Sequence, residues 1–516
     1  MKMKNKFLRM MAVAAIFTTV SCEQWLDVNE SPNSVLTSKV PPNLLLSAAQ
    51  AQTFKLISGD TENTSVDIST SNMNQLGNIW MGTWAGNSNN TTGANANEYG
   101  VILNATFYNN IWDYGYMNIA NLNNIANFDS DQYDNHKAIA MILKSFYMQY
   151  IVDLYGDCPY TEAFLGTKNL YPKYDDDKAI YRALVDQIDA AIAKIDANDT
   201  PVGGEDVMFG GDMAQWKKFG YTVKLRLLVR QSGLTDTDTQ NYIDDELDQM
   251  VADGATFLDT DATLNPGYDN SVQDRQNPFY ASYGYNIAGG ATTLRTYVTA
   301  TKFAADALNG TVSGVVDPRR NRLFTLSGGQ VVGIVQGEDA ATAPDNPSFI
   351  GPAIVPTNTV VGSALDSYVI TLSETKFLLA EAAYKFTSHA SLFPDGAQTY
   401  FEAGITASFD RLGAGSAAGY IAAIDGVAGY GWTGTTGDKT QAIMTQKWIA
   451  LMHVNGIESW IDNVRTGYPA VPLPLTNTTG KPKRLMYPTS EYTSNSANVP
   501  AQTAANCFAT GPFWKP

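Results

Sequence analysis

Between Asn455 and Pro469 the chain reads NGIESWIDNVRTGYP, and three of its side chains could do chemistry. Glu458 and Asp462 are spaced i,i+4, so on a helix both carboxylates share a face, about 6 Å apart at Cβ. That is near the separation at which glycosidases hold their acid and nucleophile. Arg465 follows on the same face. A guanidinium there pairs with both carboxylates and keeps them ionised, whereas a glycosidase acid needs a raised pKa. Ile457, Trp460, Ile461 and Val464 supply an apolar body, and Gly467 and Pro469 stop the helix. The expectation is a helix end locked by the ion-pair cluster Glu458, Asp462 and Arg465, with no catalytic residue in it.

Other chemistry is sparse. His136, His389 and His453 are scattered without metal-ligand spacing. No nucleophile elbow, phosphate loop or dinucleotide fingerprint is present. A hydrolase would have to use loop carboxylates such as Asp269 and Asp274, which nothing marks out. Asp175–Asp177 open a helix, where acids cap the end and meet its dipole more readily than they collect calcium. An Asp/Asn-rich loop elsewhere could still hold a structural Ca²⁺, with no assignable position. Glu381 faces an apolar stripe and reads as a buried ion-pair partner, as do Arg226 and Arg230. Cys158 and Cys507 could pair in an exported chain, but a buried free thiol is the expected state.

Recognition of an uncharged polymer needs flat aromatic faces and a few amides or hydroxyls. Two stretches offer them. The first, 78–100, carries Trp80, Trp84, Asn87 and Tyr99; the second, 268–286, carries Arg275, Asn277, Phe279, Tyr280, Tyr283 and Tyr285. These are the candidate ligand residues. The competing reading is packing, since Trp80 and Trp84 stand four apart, on one face of any helix.

Composition narrows the partners. A net charge of -17 over 516 residues leaves no basic surface for nucleic acid or anionic lipid. Charged residues are 16% and hydrophobic ones 44%, as in an ordered protein with a polar, weakly charged surface. The start, MKMKNKFLRMMAVAAIFTTVSC, has a basic head, a short apolar run and small residues before Cys22, which reads as an export signal over 1–21. Ser21-Cys22 at its end resembles a bacterial lipoprotein signal, which would make Cys22 the lipid-modified first residue of the mature chain with Trp25 near that anchor; an ordinary secretory signal is the alternative. No other segment approaches about 20 apolar residues.

The elements that must position these residues are mostly helical. Apolar residues recur at helical spacing in 41–57, 135–156, 175–195, 214–233, 239–254, 371–386, 396–413 and 439–467. Thr371 and Glu374 fit a capping box. Residues of about 256–365 are rich in Gly, Asn, Thr, Pro and Tyr and read as an irregular insertion with short strands or turns. The helical scaffold is expected over about 35–255 and 366–467, with loop from 468 to 516. Paired amphipathic helices that cannot bury their faces alone imply helical-repeat packing.

Five segments in order, YIVDLYGDCPYTEAF (150–164), WKKFGYTVKLRLLVR (216–230), SETKFLLAEAAYKF (373–386), QKWIALMHVNGIESWIDNVRTGYP (446–469) and PKRLMYPTSEYTSN (482–495), resemble the SusD/RagB family of nutrient-binding outer-membrane lipoproteins. The resemblance spans residues 22–516 as one domain. It implies a mainly α fold of tetratricopeptide-like helix pairs, with irregular segments forming the ligand surface. It implies a lipid on Cys22 and a place on the cell surface. The partner would be a SusC-like TonB-dependent transporter, and the ligand a glycan in preference to a peptide, bound without catalysis or cofactor. An exported all-α glycoside hydrolase and a structural surface protein without small ligand are the alternatives.

Overall fold

A computed structural model describes residues 40–59, 72–89, 95–196 and 201–515. The export signal, Cys22 and Trp25 lie outside the described residues, as does 90–94 of the Asn-rich loop. The chain divides at Pro41/Pro42, and the unit Pro42–Pro516 carries the helices and strands described here.

Helix α1 (Pro42–Ser58) packs on α3 (Asn110–Ala126), α3 on α4 (Asp134–Tyr155), α4 on α5 (Asp177–Asp196), and α5 on α6 (Met213–Gln231). After α7 (Thr237–Ala252), a second run pairs α8 (Leu372–Lys385) with α9 (Gly396–Leu412), and α8 with α10 (Thr436–Leu451). Contact between α6 and α8 joins the two runs. This ladder is the expected mainly α, helix-pair architecture. Nearly every side chain of α4 is buried, as befits a helix apolar on most of its circumference. In α5 the stripe Ile180, Leu184 and Ile188 faces inward, and Asp176 caps the end by accepting the Ala179 N–H at 3.0 Å.

Two short helices close the ladder: α2 (Met73–Trp80) lies against α11 (Gly456–Thr466). Their backbones meet at glycines. A Cβ on Gly77 would stand 2.0 Å from the Gly456 carbonyl carbon, and one on Gly456 would stand 2.4 Å from the Asn78 nitrogen. Only glycine fits there.

The irregular insertion is stitched to the helices by two antiparallel ribbons. Strand β1 (Trp84–Gly86) pairs with β3 (Val298–Ala300), placing Trp84 opposite Ala300. Strand β2 (Ala262–Leu264) pairs with β4 (Ser367–Ile370). Short helices at Pro278–Tyr283, Thr293–Tyr297 and Lys302–Leu308 also occur in it; each is too short to show a period in sequence. The 468–516 segment does more than trail as loop. Leu485, Tyr487 and Trp514 are buried, the Leu485 N–H donates to Leu154 O at 2.7 Å, and the Trp514 indole donates to Asp153 at 2.8 Å. Cys158 and Cys507 are buried free thiols. No helix among the described residues is long and apolar enough to cross a membrane.

Candidate functional site

Glu458 and Asp462 lie on α11, facing α6 and α10. Arg230 Nη2 donates to both Glu458 oxygens at 3.0 and 2.8 Å, and Nη1 to Asp462 at 3.1 Å. Lys447 Nζ stands 3.1 Å from Glu458 and 2.7 Å from Asp462. Arg465 reaches Asp462 at 3.0 Å but turns away from Glu458 to clasp Glu381 of α8 at 2.5 and 2.8 Å. The expected Arg465–Glu458 pairing is therefore corrected. Arg230, invisible from the local sequence, occupies Glu458, and Glu381 draws Arg465 to the other side. Burial pushes the Glu458 carboxyl up, but Arg230, Lys447 and Arg226 overcome it and hold it well below the usual carboxylate range. Such a carboxylate has no proton to donate to a leaving group.

The capping box at the start of α8 is half formed. Thr371 Oγ1 accepts the Glu374 N–H at 3.1 Å, while the Glu374 carboxylate lies 3.3 Å from Arg226 instead of reaching back. Burial, then the charge of Glu458, pushes Glu374 up to about 7. Asp269 is the reverse of a general acid. Bonds from the Ser271 hydroxyl and N–H, with Arg275 2.9 Å away, hold its carboxyl below its ordinary value. Asp157, Asp176 and Asp177 bring carboxylate oxygens within 4.8 Å of one another. Each accepts a backbone N–H: Asp157 from Asp177, Asp176 from Ala179, and Asp177 from Phe513.

Most of the candidate ligand rings are structural. Trp84 is 1% exposed, packed on Tyr283 at 4.9 Å, with its indole donating to His453 Nδ1 at 2.8 Å. Trp80 is 4% exposed between Phe107 and Trp460, and its indole donates to Glu98 O. Tyr99 is buried and its hydroxyl accepts the Gly86 N–H; Tyr280 is buried and donates to Pro356 O. Asn277 caps the Pro278–Tyr283 helix, accepting the Tyr280 N–H at 3.0 Å while donating to Leu365 O and Ser367. Trp80, Trp84, Tyr99, Tyr280, Tyr283 and Asn277 are thus corrected from displayed ligand groups to core. The β1–β3 ribbon draws 84–86 beneath the insertion, so no solvent-facing side remains to them. Arg275 is exposed and paired with Asp269. Phe279 and Tyr285 remain half-buried.

What the ribbon leaves outside is a different group. Arg295, on the Thr293–Tyr297 helix, lies between the rings of Tyr285 and Phe349, its guanidinium carbon 5.8 Å from each centroid. Both rings are half-exposed. Arg295 Nε and Nη1 are buried without a hydrogen-bond partner, and no carboxylate among the described residues stands within ion-pair distance. Asn89 borders this face, donating to Pro344 O at 2.8 Å, whereas Asn87 is buried, its amide donating to Thr296 O and accepting the Asn89 N–H, each at 3.2 Å, and is corrected from a ligand group to a structural one. The arrangement offers two half-buried rings around a guanidinium, which suits the C–H faces of hydroxyl-rich ligands. Of its members, only Tyr285 was visible from sequence. Arg295 stands in a Gly/Thr-rich run and Phe349 in a Pro-rich one, without periodicity to flag either.

Residues 37–488 match the family model described as starch-binding, associating with outer membrane. This chain belongs to the SusD-like family. The fold agrees. A chitin-binding SusD homolog from Flavobacterium johnsoniae superposes with a TM-score of 0.70 at 24% identity, covering 91% of this chain and 98% of that one. A SusD homolog from Bacteroides uniformis gives 0.67 at 23% identity, covering 92% and 99%. A Bacteroidetes SusD-like protein gives 0.69 at 20%, covering 92% and 100%. No curated protein matches the chain in sequence. At these identities the structural likeness speaks for the SusD-like fold alone.

Proposed function

We propose that this SusD-like protein binds a neutral glycan at the cell surface, through the face formed by Tyr285, Arg295 and Phe349. It then delivers the glycan to a SusC-like TonB-dependent transporter, without chemical change. The observation that carries the reading is the pair of half-buried rings, Tyr285 and Phe349, on either side of the Arg295 guanidinium. Sugar C–H faces stack on the rings while a sugar oxygen accepts from Arg295 Nη2. The absence of a carboxylate within ion-pair distance of Arg295, among the described residues, favours a glycan over a basic peptide. The family's outer-membrane association supports the setting. Cys22 supplies the lipid anchor, with the protein facing outward.

The test is calorimetric titration of the full mature chain with starch and chitin oligomers. One series should bind saturably, and Arg295→Ala or Phe349→Ala should weaken it at least about tenfold, a loss of roughly 1.4 kcal/mol. Release of new reducing ends, abolished by Asp269→Asn or Asp274→Asn, would reverse the non-catalytic reading. Cys22→Ser should release the protein from membranes, and the wild type should co-purify with the transporter.

A further inference from the structure

Beside the Tyr285 face the molecule turns aliphatic side chains outward. The helix Thr359–Ser363 packs through its smallest residues. A Cβ on Gly362 would stand 2.0 Å from the Tyr280 ring, so the helix backbone lies directly on that ring. The buried Ser363 hydroxyl accepts the Gln276 amide at 2.7 Å. Val360 and Val361, which hydrophobic burial would place inside, are instead 62% and 51% exposed. Asn358 fixes them there by accepting both of their N–H groups, at 3.1 and 3.3 Å.

Two further exposed aliphatics, Val272 and Ile287, belong to the segments alongside. Ser363 Oγ donates to Asn270 at 3.1 Å, two residues before Val272, and Gln273 accepts the Ile287 N–H at 3.4 Å. Single exposed aliphatics are ordinary on a protein surface, whereas a group of them marks a place where something docks.

This shelf adjoins the ring face. The buried Tyr280 ring touches Gly362 and lies 6.3 Å from the Tyr285 ring, centroid to centroid. The Gln276 amide ties the same elements, donating to Tyr285 O at 3.2 Å as well as to Ser363. One buried ring thus separates the valines from Tyr285, a span that a short oligosaccharide crosses. A glycan stacked on Tyr285 and running this way lays its next units on the shelf.

Bare hydroxyls fare poorly there. The four side chains offer neither donor nor acceptor, so a hydroxyl pressed on them loses water without a replacement bond. A methyl group gains instead, about fourfold in affinity when fully covered. Arg275, the cation of the Val272 segment, is paired with Asp269 at 2.9 Å, so that segment offers no free cation to an acidic substituent.

Resting on the glycan reading of the Tyr285 face, we propose that the shelf of Val360, Val361, Val272 and Ile287 receives the methyl of an acetyl substituent, so that the ligand is an acetylated glycan. The acetyl is carried either on an amide nitrogen or as an ester on a hydroxyl oxygen.

Calorimetric titration of the full mature chain with two pairs of neutral tetrasaccharides tests it. Chitotetraose is set against cellotetraose, and xylotetraose bearing acetyl esters against the same oligomer after removal of the esters. In at least one pair the acetylated member should bind about fourfold tighter or more; the chitotetraose pair assigns the amide, the xylotetraose pair the ester. The surface double variant Val360→Ser/Val361→Ser should bring the two members of that pair within about twofold of each other. Phe349→Ala should weaken both members and keep their ratio. Equal affinity within both pairs, tighter binding of the unacetylated members, or a preference undiminished in the double variant overturns the inference and leaves the glycan reading standing. Saturable binding of maltotetraose with none of these four does the same. No saturable binding of any of the five overturns both.

Discussion

Arg230 meets three carboxylates at once, Asp153, Glu458 and Asp462, all of them buried. Removing it leaves the buried Asp153 without a cation, while Lys447 still meets Glu458 and Asp462, and breaking a buried pair in this way costs about 3–5 kcal/mol. Arg230→Met should therefore lower unfolding free energy by that amount in urea titrations, even though Met fills the space. The same cluster sets a pH dependence of two signs. Burial pushes Glu381 up, but Arg465 and Lys385 bring it down to about 2. Its stabilisation is present above the ordinary 4.5 and is lost as pH falls toward 2. Glu374, pushed up to about 7, binds its proton more tightly folded than unfolded. Its contribution is complete below 4.5 and is lost as pH rises through 7. Unfolding free energy measured across this range should fall on both sides of a mildly acidic maximum. Glu374→Gln should flatten the neutral limb and leave the acid one.

At the scale of elements, the tightest junction is α2 against α11. Gly77→Ala forces a methyl into the Gly456 backbone, and backbone cannot yield as a side chain can. The cost should reach or exceed the roughly 1–3 kcal/mol of an overpacked core, read as a lowered melting temperature. By contrast Gly419→Ala, in a helix with open space around it, should be neutral or mildly stabilising. The helices themselves were legible. Ile180, Leu184 and Ile188 repeat at helical spacing, and Thr371 announces the start of α8. The Pro278–Tyr283 and Thr293–Tyr297 helices were hidden because six or fewer residues cannot display a period.

For the whole molecule, scaffold and recognition should separate cleanly. Trp84→Ala opens a core cavity and should cost about 3–5 kcal/mol, seen in chemical denaturation. Arg295→Ala and Phe349→Ala should weaken glycan binding at least about tenfold with melting temperature unchanged. Because the ligand is read as neutral, affinity should hold when salt is raised from about 0.05 to 0.5 M, across which surface charge pairs are screened out.

The sequence by itself determined the helical class, the helix pairs and the ionic character of 455–469, because periodicity and residue type act over a few residues. Tertiary structure alone decided which cation meets which carboxylate. It sent Arg465 to Glu381 and Arg230 to Glu458, since desolvated charges take whichever partner the packed helices bring nearest. It also decided which rings are hidden. Pairing of 84–86 with 298–300 buries Trp84 and leaves Arg295 outside between Tyr285 and Phe349. A local stretch encodes which face is apolar, but what comes to cover that face is set by chain hundreds of residues away.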